Sequence, residues 1–219
     1  MQVFRELFIR GEPDQLAATA KAICASLSGN WSRHTESEER IHSARAGVGQ
    51  AYGFRREKWG RRPAVDLYLV EKDKSTLYVS NIVPQELGQL SYDEYNGILE
   101  EFVELFVRPA AARTGARVEL TEAEEDLEDW MSPETAKKLR RFCWAANKST
   151  GSSHPADQER WFDFIVSAHR EGSKLDSATL RRWLHESGEW DEEHSYNLAA
   201  EYANYRDLLA HADKQTVGV

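Results

Sequence analysis

The stretch AVDLYLVEKDKSTLYVSNIV, residues 64 to 83, has the clearest strand pattern in this chain. Val65, Leu67 and Leu69 alternate with other side chains, and after the charged turn EKDKS the alternation resumes at Leu77. A period of two places alternate side chains on opposite faces of a strand. The stretch therefore predicts a β-hairpin with one face directed toward a core.

The residues before this hairpin predict two more strands with a helix between them. Residues 3 to 10 alternate loosely and are β-prone, and the sequence GEPD that follows is typical of a break before a helix. Residues 28 to 47 are polar and give no clear assignment, apart from a short helix over 36 to 46. Residues 48 to 56 alternate again and predict a strand. The helix carries one apolar stripe, formed by Leu16, Ala20, Ile23 and Leu27.

The residues after the hairpin predict a second helix and a last strand. Ser91 and Glu94 have the spacing of a capping box at a helix start. Pro109 lacks a backbone donor, so it predicts a kink or a restart of the helix, and Gly115 suits the left-handed residue at a helix end. A strand over 117 to 120 completes the order βαβββαβ. That order predicts one mixed or antiparallel sheet with two helices on a single face.

From residue 121 onward only helical periodicity is present. The acidic sequence EAEEDLED, 122 to 129, predicts a solvated connector. Ser132, Asp176 and Asp191 stand where N-caps are expected, each before an apolar-periodic segment. We therefore predict an α+β chain, with an α+β domain over 1 to 120 and an all-α helical domain over 121 to 219.

Charge is divided unequally between these two parts. The chain has a net charge of −9, with 16 Lys and Arg against 17 Asp and Glu in residues 1 to 120, and 12 against 20 in 121 to 219. Within 31 to 63 the balance reverses to eight cations against four carboxylates. We predict that this basic segment is the binding surface. Its candidate binding residues are Arg33, Arg45, Arg55, Arg56, Trp59, Arg61 and Arg62.

Three interpretations of the basic segment remain open. Arginine and aromatic side chains together can bind phosphates and stack on bases, and the same residue types anchor protein interfaces. An ordinary solvated loop is the third interpretation. Exposure of Trp59 beside Arg55 and Arg62 would favour binding.

The sequence RDLLAH, which runs from Arg206 to His211, is the string closest to a catalytic motif. It resembles the signature of HEPN ribonucleases, an arginine, a polar residue, three further residues and a histidine. The resemblance implies a helical protein that cleaves RNA without a metal, in which Arg206 and His211 meet across a dimer. Arg206 then stabilises charge on the phosphorane and His211 transfers a proton. The resemblance covers six residues. A histidine near a helix C-terminus is also explained by the helix dipole, which favours a cation there.

No other motif predicts chemistry. The acidic sequence at 191 to 193 is explained by the positive end of a helix, and the loop NKSTGSSHP lacks the residue order of a phosphate-binding loop. Cys24 and Cys143 have no metal-ligand spacing. We therefore expect no metal and no cofactor.

These observations favour a non-enzymatic protein-interaction module, either accessory, antitoxin-like or immunity-like, with a protein partner. The start of the chain is unlike a signal peptide, and no apolar run approaches the roughly 18 residues of a membrane span, so we expect a cytoplasmic protein. Two alternatives are a metal-independent HEPN-like ribonuclease using Arg206 and His211, and nucleic-acid binding through the basic segment. The sequence predicts no particular oligomeric state.

Overall fold

The computed structural model describes residues 1–44, 49–60 and 62–216, without the side chains of 40–44 and 216. The chain has the predicted α+β fold class, with an antiparallel sheet in the first half and mostly helices in the second. It divides into two compact units, which we call the sheet unit (Gln2–Ala123) and the helical unit (Glu124–Val219 with Met1). The domain boundary after residue 120 stays a prediction, while the division into units falls between Ala123 and Glu124.

Six strands form a single sheet in the described part of the sheet unit. Their order is β2-β3-β4-β5-β1-β6, and every neighbouring pair is antiparallel. In the predicted hairpin, Leu67 stands opposite Ile82 and Leu69 opposite Val79, so the hairpin is confirmed. The strands are β1 (Leu7–Arg10), β2 (Trp31–Arg33), β3 (Ala51–Arg56), β4 (Val65–Asp73), β5 (Thr76–Pro84) and β6 (Arg117–Leu120).

Capping residues, a proline and a glycine determine where the helices of the sheet unit begin and end. Ser91 and Glu94 form the predicted capping box at the start of α3. After α3 the helix widens into a π-helical turn, Val103–Val107, because Pro109 cannot donate its backbone bond in a regular helix. Gly115, with φ of 79°, ends the last helix as predicted. The helices are α1 (Pro13–Ser26), α2 (Thr35–Ala44), α3 (Tyr92–Phe102) and α4 (Arg108–Thr114).

The edge of β3 is where the structure adds to the sequence prediction. The short strand β2 was not predicted, and it pairs with one end of β3. Beyond β2 the chain forms α2, the short helix left open over 36 to 46, which packs beside β3. There the Gly53 amide donates to Glu38 Oε1 at 3.1 Å and the His34 amide donates to the Gly53 carbonyl at 2.8 Å. These bonds cover backbone groups that a bare edge strand would expose.

The helical unit has its own core. Ser132, Asp176 and Asp191 accept backbone N–H bonds at the starts of three helices, at 3.3, 2.8 and 2.8 Å, so the predicted N-caps are confirmed. Stacked aromatic rings such as Phe142 and Trp190 fill the centre. No helix of the described ranges is both long and apolar enough to cross a bilayer. The elements are a 3-10 turn (Leu127–Asp129), α5 (Pro133–Ala145), α6 (Pro155–Arg170), α7 (Ser177–Glu186) and α8 (Glu192–Thr216).

Candidate protein-interaction site

Arg56 is directed toward the core of the sheet unit. It has the same parity in β3 as the core residue Phe54, and it stands opposite Trp31 of β2, which also belongs to the core. Arg56 is 1% exposed. A guanidinium group held away from water needs both a counter-charge and hydrogen-bond acceptors.

Glu101 of α3 supplies that counter-charge. Its carboxylate accepts bonds from Arg56 Nε at 3.0 Å and Arg56 Nη2 at 3.2 Å. It also accepts from Trp31 Nε1 at 2.9 Å and from Arg62 Nη1 at 2.6 Å. Burial by itself raises the pKa of Glu101, but the bonds from Arg56, Trp31 and Arg62 outweigh it and hold this pKa below its ordinary value.

Arg56 also holds both ends of the loop between β3 and β4. Its Nη1 donates to the Glu57 carbonyl at 3.3 Å and to the Pro63 carbonyl at 3.2 Å. We call residues 57–60 and 62–64 the Trp59 loop. Inside it Trp59 and Arg62 form an antiparallel bridge, with backbone bonds of 3.3 and 3.2 Å. The loop is therefore fixed by backbone and side-chain bonds at its base.

Trp59 projects from this fixed loop into solvent. It is 72% exposed, whereas Trp31 in the same unit is buried. Water contact with a large indole is unfavourable, so a folded chain gains by covering it. An exposed tryptophan on a preorganised loop is typical of the anchor residues at the centre of protein interfaces.

The other arginines of the predicted binding set are paired with carboxylates. Arg33 makes two bonds to Glu38, at 2.9 and 2.8 Å, and Arg55 makes two bonds to Asp66, at 2.9 and 3.1 Å. With Arg56 and Arg62 on Glu101, all four described arginines of the set have an acidic partner. Arg45 and Arg61 lie outside the described residues. The structure brings Arg56, Trp59 and Arg62 together, while Arg55 has the opposite parity in β3.

His34 stands among polar groups that suggest a catalytic triad, but their geometry does not form one. The Ser37 hydroxyl and the Asp66 carboxylate both approach the same ring nitrogen, Nδ1, with Asp66 Oδ2 at 3.8 Å. A working triad needs the nucleophile and the acid on different nitrogens. Ser37 is also buried, so this cluster supports the fold of α2 against β3.

Arg206 and His211, the candidate catalytic pair, occupy different surroundings on α8. Arg206 Nη1 donates to the Leu175 carbonyl at 3.1 Å and to the Tyr202 hydroxyl at 2.9 Å. It lines a cavity of about 470 Å³ that also contains His169. His211 is exposed and does not line that cavity. A general acid or base must reach the same reacting group as the charge-stabilising arginine, and one chain does not place this pair together.

Among the described residues, no group of three or more His, Cys, Asp or Glu side chains could hold a metal ion. No family model, no curated protein and no solved structure matches this chain. The Trp59 loop is therefore identified from its geometry.

Sequence reasoning missed Glu38, Asp66 and Glu101, the three carboxylates that neutralise the arginines. One signal was available for Arg56, since it shares the parity of the aromatic residue Phe54 in the strand predicted over 48 to 56. That parity would have predicted an inward arginine and hence a buried acidic partner.

Proposed function

We propose that this chain is a non-enzymatic module that binds a protein partner through the Trp59 loop. The observation that carries the proposal is the 72% exposure of Trp59 on a loop whose two ends are both hydrogen-bonded to buried Arg56. A loop already ordered before binding loses less conformational freedom when the partner arrives. Tryptophan is also among the residues most enriched at interface hot spots.

The charge pairing favours a protein partner over nucleic acid. A phosphate backbone would have to compete with Glu38, Asp66 and Glu101 for the guanidinium groups, and the net charge of −9 opposes it at longer range. The proposed role is accessory, antitoxin-like or immunity-like, in which binding alone produces the effect. We also propose a cytoplasmic location, because the two free thiols, Cys24 and Cys143, are consistent with a reducing compartment.

Affinity capture from the source cell tests the proposal when baits are compared quantitatively. The wild-type chain and a Trp59→Ala variant serve as baits, with proteins and nucleic acids both measured by mass spectrometry. Leu87→Ala is the matched control, because Leu87 is another exposed apolar residue of the sheet unit. We expect at least one protein to be retained by wild type and Leu87→Ala and lost with Trp59→Ala. Identical capture by wild type and Trp59→Ala would refute the proposal.

The ribonuclease alternative predicts a different result. Purified protein would cleave single-stranded RNA in the presence of a chelator, and His211→Ala would abolish cleavage while leaving protein capture intact. Cleavage that His211→Ala removes would replace the binding proposal with an enzymatic one.

A further inference from the structure

The helical unit contains a groove of about 600 Å³, distinct from the Trp59 loop. Its walls come from the segment before α5, from α5 itself, and from the turn between α7 and α8. This volume lies within the range of binding sites for ligands and peptide side chains. Its lining includes Met1, Glu124, Glu125, Asp126, Asp129, Arg140, Trp144 and Glu189.

Trp144 is the aromatic side chain that this groove presents to solvent. It is 88% exposed on the last turn of α5. By contrast, Trp161 and Trp190 of the same unit are buried in its core. The outward indole therefore contributes little to packing, and its face is free for a ligand lying in the groove.

The carboxylates of the groove fall into two groups. Asp126 and Asp129 form the cap of the 3-10 turn, and Asp126 also accepts from Arg140 at 2.7 Å. Arg140 is further occupied by Glu128, at 2.5 and 2.6 Å. The fold thus already uses this cation and both aspartates.

Glu124, Glu125 and Glu189 form the second group. Their carboxylates make no hydrogen bond and no ion pair within 4 Å in the described part of the chain, and Glu189 alone interacts electrostatically with a nearby cation, Lys148. Among the described residues, two cations line the groove. Arg140 is neutralised by Asp126 and Glu128, and the N-terminal ammonium of Met1 donates to the Glu125 carbonyl at 3.0 Å. Five carboxylates against these two cations leave the groove with a net negative charge next to an exposed indole.

A cationic side chain satisfies both features at once. Arginine and lysine stack on the face of tryptophan and make charge-assisted bonds to carboxylates. An anionic ligand would be repelled, and an apolar helix would leave three carboxylates buried without partners. The same chemistry is already present inside this unit, where Lys148 Nζ lies 4.1 Å from the ring centroid of Trp190.

We infer that this groove binds an arginine- or lysine-rich segment of a protein partner. Trp144 stacks on one cationic side chain, and Glu124, Glu125 and Glu189 pair with its neighbours. The inference uses a different unit and a different chemistry from the Trp59 loop, so it stands or falls independently of the proposed function.

Fluorescence polarisation with the full chain and defined peptides tests this inference. The probe is a labelled peptide of alternating arginine and serine, and its counterpart carries glutamate in place of arginine. We expect the arginine peptide to bind and the glutamate peptide not to bind. Trp144→Ala should weaken binding about tenfold, from the loss of stacking at an anchor position. Glu124→Gln/Glu125→Gln/Glu189→Gln should weaken it further and flatten its dependence on salt.

A charge-matched variant separates this site from general attraction to an acidic protein. Glu159→Gln/Asp163→Asn/Glu193→Gln removes three exposed carboxylates outside the groove, so it should bind the peptide nearly as well as wild type. Trp59→Ala should also bind like wild type. The inference would be overturned if the two triple variants lost affinity for the arginine peptide equally. It would also be overturned if wild type did not bind the arginine peptide at low salt. Circular dichroism of each variant verifies that the fold is retained.

Discussion

At the scale of single residues, Arg56 is the centre of the candidate site. A buried guanidinium group destabilises a fold unless its charge and its donors are matched. Here the donors reach Glu101 and the carbonyls of Glu57 and Pro63. The same side chain therefore joins the core of the sheet unit to the base of the Trp59 loop.

Glu101→Gln should destabilise the protein strongly at neutral pH. The change leaves Arg56 buried without its counter-charge, which typically costs about 3 kcal/mol of the free energy of unfolding. Glu104→Gln is the control, because the Glu104–Arg108 pair is about half exposed and such surface pairs contribute roughly 0.5 kcal/mol. Urea denaturation at pH 7 measures both values. Equal effects of the two substitutions would contradict the role given to Glu101.

The difference between wild type and Glu101→Gln should shrink in acid. The pKa of Glu101 is lower in the folded chain than its ordinary value of 4.5, so its contribution to stability is present above that value. The contribution is lost as the pH falls through the folded pKa. Urea denaturation at successive pH values from neutral to acid should therefore show the two curves converging. If the free energies of unfolding of the two proteins differed by the same amount at all pH values, the ionisation of Glu101 would not contribute to stability.

The two cysteines should differ in reactivity. Burial raises the pKa of both thiols, that of Cys143 to about 11, and Cys24 is the less buried of the two. At pH 8 about one Cys143 thiol in a thousand would be ionised, and the thiolate is the reactive form. Iodoacetamide should therefore modify Cys24 first in the native protein, as followed by peptide mass spectrometry. Both should react at similar rates in denaturant, and faster native labelling of Cys143 would contradict this account.

At the scale of elements, the edge of β3 depends on the absence of a side chain at Gly53. A Cβ atom there would lie 2.6 Å from the His34 carbonyl oxygen and 3.2 Å from Ser37 Cβ. Because the first of these neighbours is backbone, the contact cannot be relieved by a rotamer change. Helix α2 can therefore approach β3 only if residue 53 is glycine.

Gly53→Ala should loosen this contact. We expect a loss of about 2 kcal/mol in the free energy of unfolding, comparable to other overpacking substitutions. Hydrogen exchange should accelerate at the Gly53 amide, which is bonded to Glu38, while the amides of α3 keep their protection. Ser32→Ala on the exposed side of β2 is the control and should be nearly neutral. An unchanged rate of hydrogen exchange at the amide of residue 53 in the alanine variant would contradict this explanation.

Local signals predicted most elements of the fold. The alternation of 65 to 83, the capping box at Ser91 and the N-cap at Asp176 all depend on neighbours in sequence, and each is confirmed. Strand β2 was not predicted from the sequence, because its three residues, Trp31–Arg33, are too few to show a period. It also pairs with β3, which lies some twenty residues later in the chain. The packing of α2 could not be predicted for the same reason, since it depends on contacts with Gly53.

The candidate site was predicted in part. The sequence identified Trp59 and the arginines, and it treated every arginine as a surface cation. Whether a guanidinium is available depends on which carboxylate lies beside it, and Glu101 is separated from Arg56 by 45 positions in the chain. Pairing over that separation leaves no periodic signal, so it could be recognised only in three dimensions.

At the scale of the whole molecule, the electrostatics oppose nucleic-acid binding. The chain carries a net charge of −9, and its most basic segment has its described guanidinium groups paired with carboxylates. Affinity for a phosphate backbone arises largely from cations that release counterions on binding. An arginine that is already neutralised by a carboxylate neutralises fewer phosphates, so fewer counterions are released from the nucleic acid.

The chain should therefore bind single-stranded RNA only weakly. We expect no saturation at micromolar protein in fluorescence polarisation at physiological salt, and little change in affinity as salt is raised, because few phosphates are contacted. Glu38→Gln, which frees Arg33, should increase both the affinity and the dependence on salt. Tight binding by wild type with a steep salt dependence would show that the basic segment is a nucleic-acid surface after all.

The base of the Trp59 loop has a consequence for how such chains diversify. Arg56 holds the loop through two main-chain carbonyls, which every amino acid possesses, so the side chains at 58 and 59 can change without disturbing the anchorage. Natural relatives should vary at positions 58 and 59, keep arginines at 56 and 62 with an acid at 101, and keep glycine at position 60, where φ is 61°. The same tolerance makes this turn suitable for randomised libraries, from which new specificities can be selected on an unaltered scaffold.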